Sequence, residues 1–132
     1  MTGEILQAAL AEYFAPWVQA LGLTVEAFDA DSVTLRLPQD ERLSRAGGML
    51  CGQAMMAAAD TAVALVNHFG GFRPCTTVQM NTSFLKPLSQ QDALVQARIV
   101  RAGKSLAFGE IDIRGAGDGR SAARASATSA LL

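Results

Sequence analysis

The sequence predicts a single α+β domain, residues 1–132, in which one long helix lies against an antiparallel sheet of about five or six strands. Residues 52 to about 68 are almost all small or apolar and contain no β-branched run, which is typical of a long buried helix. The segments before and after this helix alternate apolar and polar residues, which is typical of half-buried strands. A chain of 132 residues is also long enough to bury one hydrophobic core.

The segments before the long helix predict two short helices and a hairpin. Apolar residues recur at helical spacing over residues 4–21, and we expect Pro16 to divide this region into two helices. Residues 23–38 alternate around a turn at residues 29–31, which predicts a hairpin. Residues 39–50 are rich in charge and glycine, and we expect a loop there.

The segments after the long helix predict a loop and four strands. Residues 68–74 contain two adjacent glycines and a proline, which favour a loop. Residues 75–87 alternate polar and apolar side chains and predict a strand whose one face is buried. Residues 92–131 predict three more strands, with turns at residues 102–104 and 115–119.

The composition argues against several classes of protein. The first residues lack the basic segment of a signal peptide, and the longest apolar stretch is interrupted by Asp60 and too short to span a membrane. Cys51 and Cys75 have no paired spacing, so we expect reduced thiols in the cytoplasm. The chain has one histidine and isolated basic residues, so neither a metal site nor a nucleic-acid partner is expected.

Asp60 is the one charged residue in the apolar stretch of residues 49–66. An ionised carboxylate in dry surroundings is costly unless it is paired, hydrogen-bonded or protonated. Two interpretations stay open from the residues alone. Asp60 is either a structural residue satisfied by a neighbouring hydroxyl or arginine, or a carboxylate in a partly dry cleft where a perturbed pKa suits nucleophilic or general-base chemistry.

The start of the long helix offers a second candidate group. Gly47, Gly48 and Gly52 allow a ligand to approach the backbone closely. The first N–H groups of a helix have no partner within it, and such a helix end can stabilise a carbonyl oxygen that becomes negative.

These residues resemble a known family. The segment GGMLCGQAMMAAADTAVAL, residues 47–65, is similar to the signature that opens the central helix of hotdog-fold thioesterases. The closest group is the phenylacetate-pathway (PaaI-like) acyl-CoA thioesterases, and the resemblance runs from about Trp17 to the C-terminus. It implies a hotdog fold, hydrolysis of an acyl-CoA thioester to free acid and CoA, and no cofactor. It also implies that Asp60 is the base or nucleophile and that the Gly52 backbone amide is the oxyanion donor.

The resemblance assigns roles to further residues. Cys51 stands where the family has a histidine, nine residues before Asp60, and Gln53 stands where it has a second glycine. Arg45 takes the position of an asparagine or glutamine found in many members. Thr77 matches a serine or threonine that helps to hold the attacking water.

Three more residues are candidate substrate contacts. Lys104 and Ser105, in a turn, resemble a family position near the phosphates of coenzyme A, although a solvated turn is an equal alternative. Met56, with Met49 and Met55, is a candidate lining for an acyl pocket, although methionines at helical spacing more often belong to a core.

The spacing of the two main candidates predicts an oligomer. Gly52 and Asp60 are eight residues apart, so their backbones lie about 12 Å apart along a helix. A base and an oxyanion donor must both reach one carbonyl group, within roughly 3 Å. We therefore expect a homodimer, or a tetramer of paired dimers, in which Gly52 of one chain faces Asp60 of the other.

Two other functions stay open. A hydratase or dehydratase acting on acyl thioesters usually needs a histidine beside an acid, which the motif lacks here. A non-catalytic acyl-CoA-binding protein is possible because Cys51 replaces the family's histidine. Cys51 could itself act as the nucleophile, although the sequence offers it no histidine partner nearby.

Overall fold

A computed structural model of the chain describes residues 1–71 and 73–132; Phe72, in the predicted loop of residues 68–74, lies outside the described residues. The helices are α1 (Gly3–Glu12), α2 (Pro16–Gln19) and α3 (Gly52–Phe69). The strands are β1 (Thr24–Asp29), β2 (Ser32–Leu37), β3 (Ser44–Arg45), β4 (Met49–Leu50), β5 (Cys75–Phe84), β6 (Ala93–Ala102), β7 (Leu106–Gly115) and β8 (Ser121–Leu131). The described segments therefore follow the predicted order of short helices, hairpin, long helix and four strands.

The main sheet has six strands in the order β1-β2-β6-β7-β8-β5, and every neighbouring pair is antiparallel. Helix α3 packs on one face of this sheet and contacts β2, β5, β6, β7 and β8. The core forms between them because the strands alternate: Val95, Ile111 and Ala125 are buried on the helix side, whereas Gln96, Asp112 and Arg124 line the other face. This is the α+β arrangement that the alternation of residues predicts.

The segment of residues 39–50 is more ordered than the predicted loop. It contains a short 3-10 helix and a two-stranded sheet of β3 and β4, joined through Gly47 and Gly48. Both glycines have positive φ angles, of 97° and 79°, which side-chain-bearing residues rarely adopt. The sequence prediction missed this hairpin because each strand has only two residues, too few to show alternation.

The helical spacing in residues 4–21 predicted the helices correctly but not the burial of every apolar residue. Thr2 caps α1 by accepting the Ile5 N–H at 3.2 Å, and Leu6 and Leu10 are buried. Pro16 begins α2, a position that suits its missing N–H. Trp17, however, is 65% exposed. Among the described residues, no helix is both long and apolar enough to cross a membrane.

Candidate active site

Helix α3 is open to solvent along one stripe. Gln53, Met56 and Asp60 follow each other at steps of three and four residues, and all three are exposed. The expectation that Asp60 is enclosed in a partly dry cleft is therefore wrong for a single chain. Alanine and valine side chains make up the sides of the helix that face the sheet, so most of its surface is apolar. No part of the described chain covers the stripe of Gln53, Met56 and Asp60.

Asp60 is held by Thr77 of β5. The Thr77 hydroxyl donates a hydrogen bond of 2.6 Å to Asp60 Oδ1, so one carboxylate oxygen is bound, and no described residue donates to Oδ2. A β-bulge follows at once: Thr77 pairs with Ser129 of β8, Gln79 pairs with Thr128, and Val78 is the extra residue between them. Bulges redirect side chains and often lie beside functional sites. The bulge thus sets the position from which Thr77 reaches the helix.

A thiol and a buried hydroxyl lie beside this pair. Cys75 precedes Thr77 by two residues on β5, and burial together with the negative charge of Asp60 raises the pKa of its thiol, against a smaller lowering by the Ser129 hydroxyl. Ser129 is only 1% exposed, and its hydroxyl has no hydrogen-bond partner of good geometry in the described part of the chain. Cys75 is therefore a protonated thiol near neutral pH.

The first turn of α3 presents free N–H groups. Cys51 is the residue that precedes the helix, its side chain makes no capping hydrogen bond, and its N–H donates to the Leu43 carbonyl at 2.8 Å. Met55 is the first residue whose N–H is used within the helix, with the Cys51 carbonyl at 3.3 Å. Within residues 1–71 and 73–132, no protein acceptor binds the N–H groups of Gly52, Gln53 and Ala54. This is the arrangement that an oxyanion needs.

Gly52 is close-packed at this end of the helix. A Cβ atom placed on Gly52 would lie 3.2 Å from two ring carbons of Phe84, at the end of β5. The ring therefore rests directly on the backbone that carries the candidate oxyanion donor. Phe84 itself is half exposed, so it forms part of the same open surface.

Two pockets flank the first turn of α3. One has a volume of about 420 Å³ and brings Arg45 together with Gly52 and Phe84. The other has a volume of about 250 Å³ and is lined in part by Cys51 and Gln53. A wider polar depression of about 660 Å³ lies on the outer face of the sheet, and no predicted site residue lines it.

Lys104 and Ser105 lie at the same end of the sheet as Thr77. The Ser105 carbonyl accepts the N–H of Leu131, which pairs with Cys75 at the start of β5. Arg73 donates to the Lys104 carbonyl, so a second cation borders this turn. The structure thus groups Asp60, Thr77 and this turn at one end, and Arg45, Cys51, Gly52 and Gln53 at the other.

Met56 separates the two groups, and it has a different environment from its neighbour. Met56 is 42% exposed on the open stripe between Gln53 and Asp60, whereas Met55 is buried in the core. Because the rise of an α-helix places Gly52 and Asp60 about 12 Å apart, one chain does not bring both groups to one small ligand.

Sequence reasoning missed the parts of the site that come from the fold. Trp17 was expected only as part of a helical apolar pattern, and Phe84 only as a strand residue; both border the first turn of α3. Ser129 and Cys75 carry no motif. Only the pairing of β5 with β8 reveals them, because its register places Ser129 opposite Thr77.

The comparisons with known proteins agree with this architecture. A family model described as "Thioesterase superfamily" matches residues 47–122. The "Putative esterase Ta0293" of Thermoplasma acidophilum is 31% identical over 81 residues, which are 61% of this chain and 61% of that protein. The chain thus matches less than two thirds of that relative's length.

Two solved structures show the same fold. A "putative thioesterase" from Silicibacter sp. TM1040 has 29% identity and a TM-score of 0.87, covering 100% of this chain and 92% of that one. A mutant of a thioesterase from Pseudomonas aeruginosa has 24% identity and a TM-score of 0.88, covering 100% and 94%. The expected hotdog fold is confirmed. Because the family model spans more than half of the sequence and includes the whole of α3, the chain belongs to the thioesterase superfamily.

Proposed function

We propose that this protein hydrolyses acyl-CoA thioesters to the free acid and CoA, as a homodimer whose two active sites each use both chains. The observation that carries the proposal is the 2.6 Å hydrogen bond from Thr77 to Asp60 on the open stripe of α3. It leaves one carboxylate oxygen free at a solvent-accessible position. The same stripe begins at free N–H groups, which supply the complementary half of a hydrolytic site.

The chemistry follows from these two groups. Asp60 Oδ2 accepts a proton from a water molecule, whose oxygen attacks the thioester carbon while Thr77 holds the other carboxylate oxygen in place. The carbonyl oxygen becomes negative and is stabilised by the N–H of Gly52 of the partner subunit. The carbon–sulfur bond then breaks, and the CoA sulfur takes the proton from Asp60. Attack by Asp60 itself, with later hydrolysis of the anhydride, uses the same groups.

The edge of the sheet supports the dimer. Strand β5 is ten residues long and lies at one edge of the sheet, where main-chain groups are unpaired. Val78, Phe84 and Leu85, in or just after β5, are each at least half exposed. A second copy that pairs along β5 covers these side chains and brings its own α3 towards Asp60. The wet surroundings of Asp60 in a single chain then become a partly closed cleft.

The position of the only histidine argues against a hydratase. His68 lies near the end of α3, about 12 Å along the helix from Asp60, and its ring packs against Tyr13 and Phe69.

A non-catalytic acyl-CoA-binding protein would share the open stripe and the helix N-terminus. Only a measurement of acyl-CoA hydrolysis distinguishes a thioesterase from such a binding protein.

A panel of acyl-CoA substrates with a thiol-detecting dye tests the proposal. We expect the wild-type protein to release CoA and the Asp60→Asn protein to lose at least about a hundredfold in kcat, since a positioned base contributes that much or more. Binding of acyl-CoA without release of thiol would identify a binding protein. Release at an equal rate by Asp60→Asn would contradict the mechanism.

A further inference from the structure

The smaller pocket beside the first turn of α3 has a mostly apolar wall. Its volume is about 250 Å³, and its apolar lining comes from α2, the turn after it, the segment before α3 and α3 itself: Trp17, Leu21, Leu43, Cys51 and Ala54. Pockets that hold a drug-sized ligand usually measure roughly 300–1,000 Å³. The pocket therefore suits a small apolar group rather than a long chain.

Trp17 forms the outer wall of this pocket. It is 65% exposed, although it is the largest apolar side chain of the sequence, which contains one tryptophan. An exposed indole offers a flat apolar surface and gains free energy when a ligand covers it. It stands on α2, a four-residue helix that ends where the Ala20 N–H binds the Pro16 carbonyl at 3.0 Å.

The charged side chain of the pocket is already engaged. Arg42 donates to Asp40 from Nε at 3.0 Å and from Nη2 at 2.7 Å, and to the Ala20 carbonyl at 3.4 Å. Its guanidinium is thus already paired with a carboxylate of the same chain. A ligand carboxylate placed here would lose water without gaining a free cation, which is costly.

The pocket opens next to the candidate oxyanion donor. Cys51 and Gln53 line the pocket, and they are the residues on either side of Gly52 at the start of α3. A thioester whose carbonyl oxygen binds the Gly52 N–H therefore has its acyl group beside the pocket mouth.

We propose that this pocket receives the acyl group and that Trp17 selects compact, uncharged acyl groups. The inference rests on the proposed thioesterase function and extends it to the substrate class. Long chains exceed the pocket volume, and acyl groups that end in a carboxylate find no free cation. Trp17 acts as a specificity-determining residue that contacts the substrate away from the reacting carbon.

Steady-state kinetics with four thioesters test the selection. We expect kcat/KM to be highest for hexanoyl-CoA, and lower for acetyl-CoA, palmitoyl-CoA and succinyl-CoA. Trp17→Ala should lower kcat/KM for hexanoyl-CoA about tenfold, since an aromatic contact and its buried area are worth about 1.4 kcal/mol. The same change should alter the value for acetyl-CoA less than about twofold. Phe28→Ala, which removes another exposed aromatic ring on β1, is the matched control and should change neither.

Fluorescence separates this inference from the hydrolytic function. Trp17 is the only tryptophan, so the emission of Asp60→Asn reports on the pocket without turnover. We expect hexanoyl-CoA to change that emission more than CoA alone does. If the emission changes but the wild type releases no CoA, the pocket binds the acyl group and the proposed thioesterase activity is wrong. If the wild type releases CoA, the emission does not change and Trp17→Ala has the same substrate preference as the wild type, the proposed acyl pocket is wrong. Loss of the dimer in Trp17→Ala would show that a second chain covers the ring and would also overturn the inference.

Discussion

Thr77 Oγ1 lies 2.6 Å from Asp60 Oδ1, and this hydrogen bond joins an edge strand to the open stripe of the central helix. The acceptor is a carboxylate oxygen, and hydrogen bonds from hydroxyl groups to carboxylates are among the stronger ones in proteins. It fixes one oxygen of the carboxylate and thereby orients the other.

Removing the Thr77 hydroxyl should lower kcat without unfolding the protein. Hydrogen bonds to charged groups are worth about 1.5–3 kcal/mol, so Thr77→Ala should lose roughly ten- to a hundredfold in kcat. Thr77→Ser keeps the donor and should retain most of the activity. Steady-state hydrolysis of one acyl-CoA by the three proteins, with far-UV circular dichroism as the folding check, measures this. Equal losses in the alanine and serine variants would show that the methyl group, and not the hydroxyl, matters.

Gly52 should be required for its N–H. Proline fits the first helical position, and the preceding Cys51 has a ψ angle of 148°, which a following proline tolerates. Gly52→Pro therefore removes the donor with little expected change to the helix, and we expect a loss of about a hundredfold or more in kcat. Gly52→Ala keeps the N–H but places a Cβ atom 3.2 Å from the Phe84 ring, so it is the control for crowding. If the alanine variant loses as much as the proline variant, crowding explains the defect.

Mixing two inactive variants should restore activity if each site uses two chains. In a heterodimer of Asp60→Asn and Gly52→Pro, one site carries both defects and the other carries neither. We expect activity to approach half of the wild-type value per heterodimer once subunits have exchanged. Native mass spectrometry confirms the exchange. An inactive heterodimer, or full activity of the wild type at a dilution where it is monomeric, would contradict the shared site.

Cys51 should fill space without forming a covalent intermediate. It lies at the start of α3 and lines the pocket beside Trp17, and the lone histidine is at the far end of the helix. We expect Cys51→Ala to keep most of the activity. Cys51→His restores the residue typical of the family and is expected to raise activity on small acyl groups while narrowing the pocket for larger ones. An acyl group on Cys51, detected by mass spectrometry of a quenched reaction, would refute this assignment.

Asp92 should stabilise the fold above the pH at which it ionises in the unfolded chain. The N–H of Gln39 and the guanidinium of Arg36 hold the pKa of the Asp92 carboxyl below its usual range. Because the pKa is lower in the folded state, the contribution is present above an unfolded pKa of about 3.9 and is lost as the pH falls through the folded value. Asp92→Asn should lower Tm at pH about 7, and the difference from wild type should shrink below pH about 4.

Thermal unfolding followed by circular dichroism at several pH values measures this difference. Glu12→Gln, on the exposed side of α1, is the matched control and should shift Tm little at any pH. A Tm difference for Asp92→Asn that does not change between neutral and acid pH would contradict the linkage.

Most of the fold could be predicted from the sequence because its signals are local. The long helix of residues 52 to about 68 and the four later strands each extend over ten or more residues, enough for periodicity to appear. The order of strands in the sheet could not be predicted in this way. It depends on β8 lying between β7 and β5, a pairing between distant segments that no local pattern records.

Only those residues of the candidate site that belong to a motif or share one helix could be predicted from the sequence. Asp60 and Gly52 share one helix, so their separation follows from the rise of that helix. The exposure of Asp60 did not follow, because the composition of a helix does not say which face its neighbours leave uncovered. Phe84 and Trp17 reach the first turn of α3 from distant parts of the chain, and their roles appear only in the packing.

The place of β5 in the sheet has a consequence for the order of events during synthesis. Its sheet neighbour is β8, which leaves the ribosome after β6 and β7. Until then β5 has no strand beside it, and its exposed edges can pair with other nascent chains. Thr77 lies in the stretch of β5 that pairs with β8, so its register in the sheet is set only when β8 has been made. The position of Thr77 beside Asp60 thus depends on a strand that is made after the other five strands of the sheet.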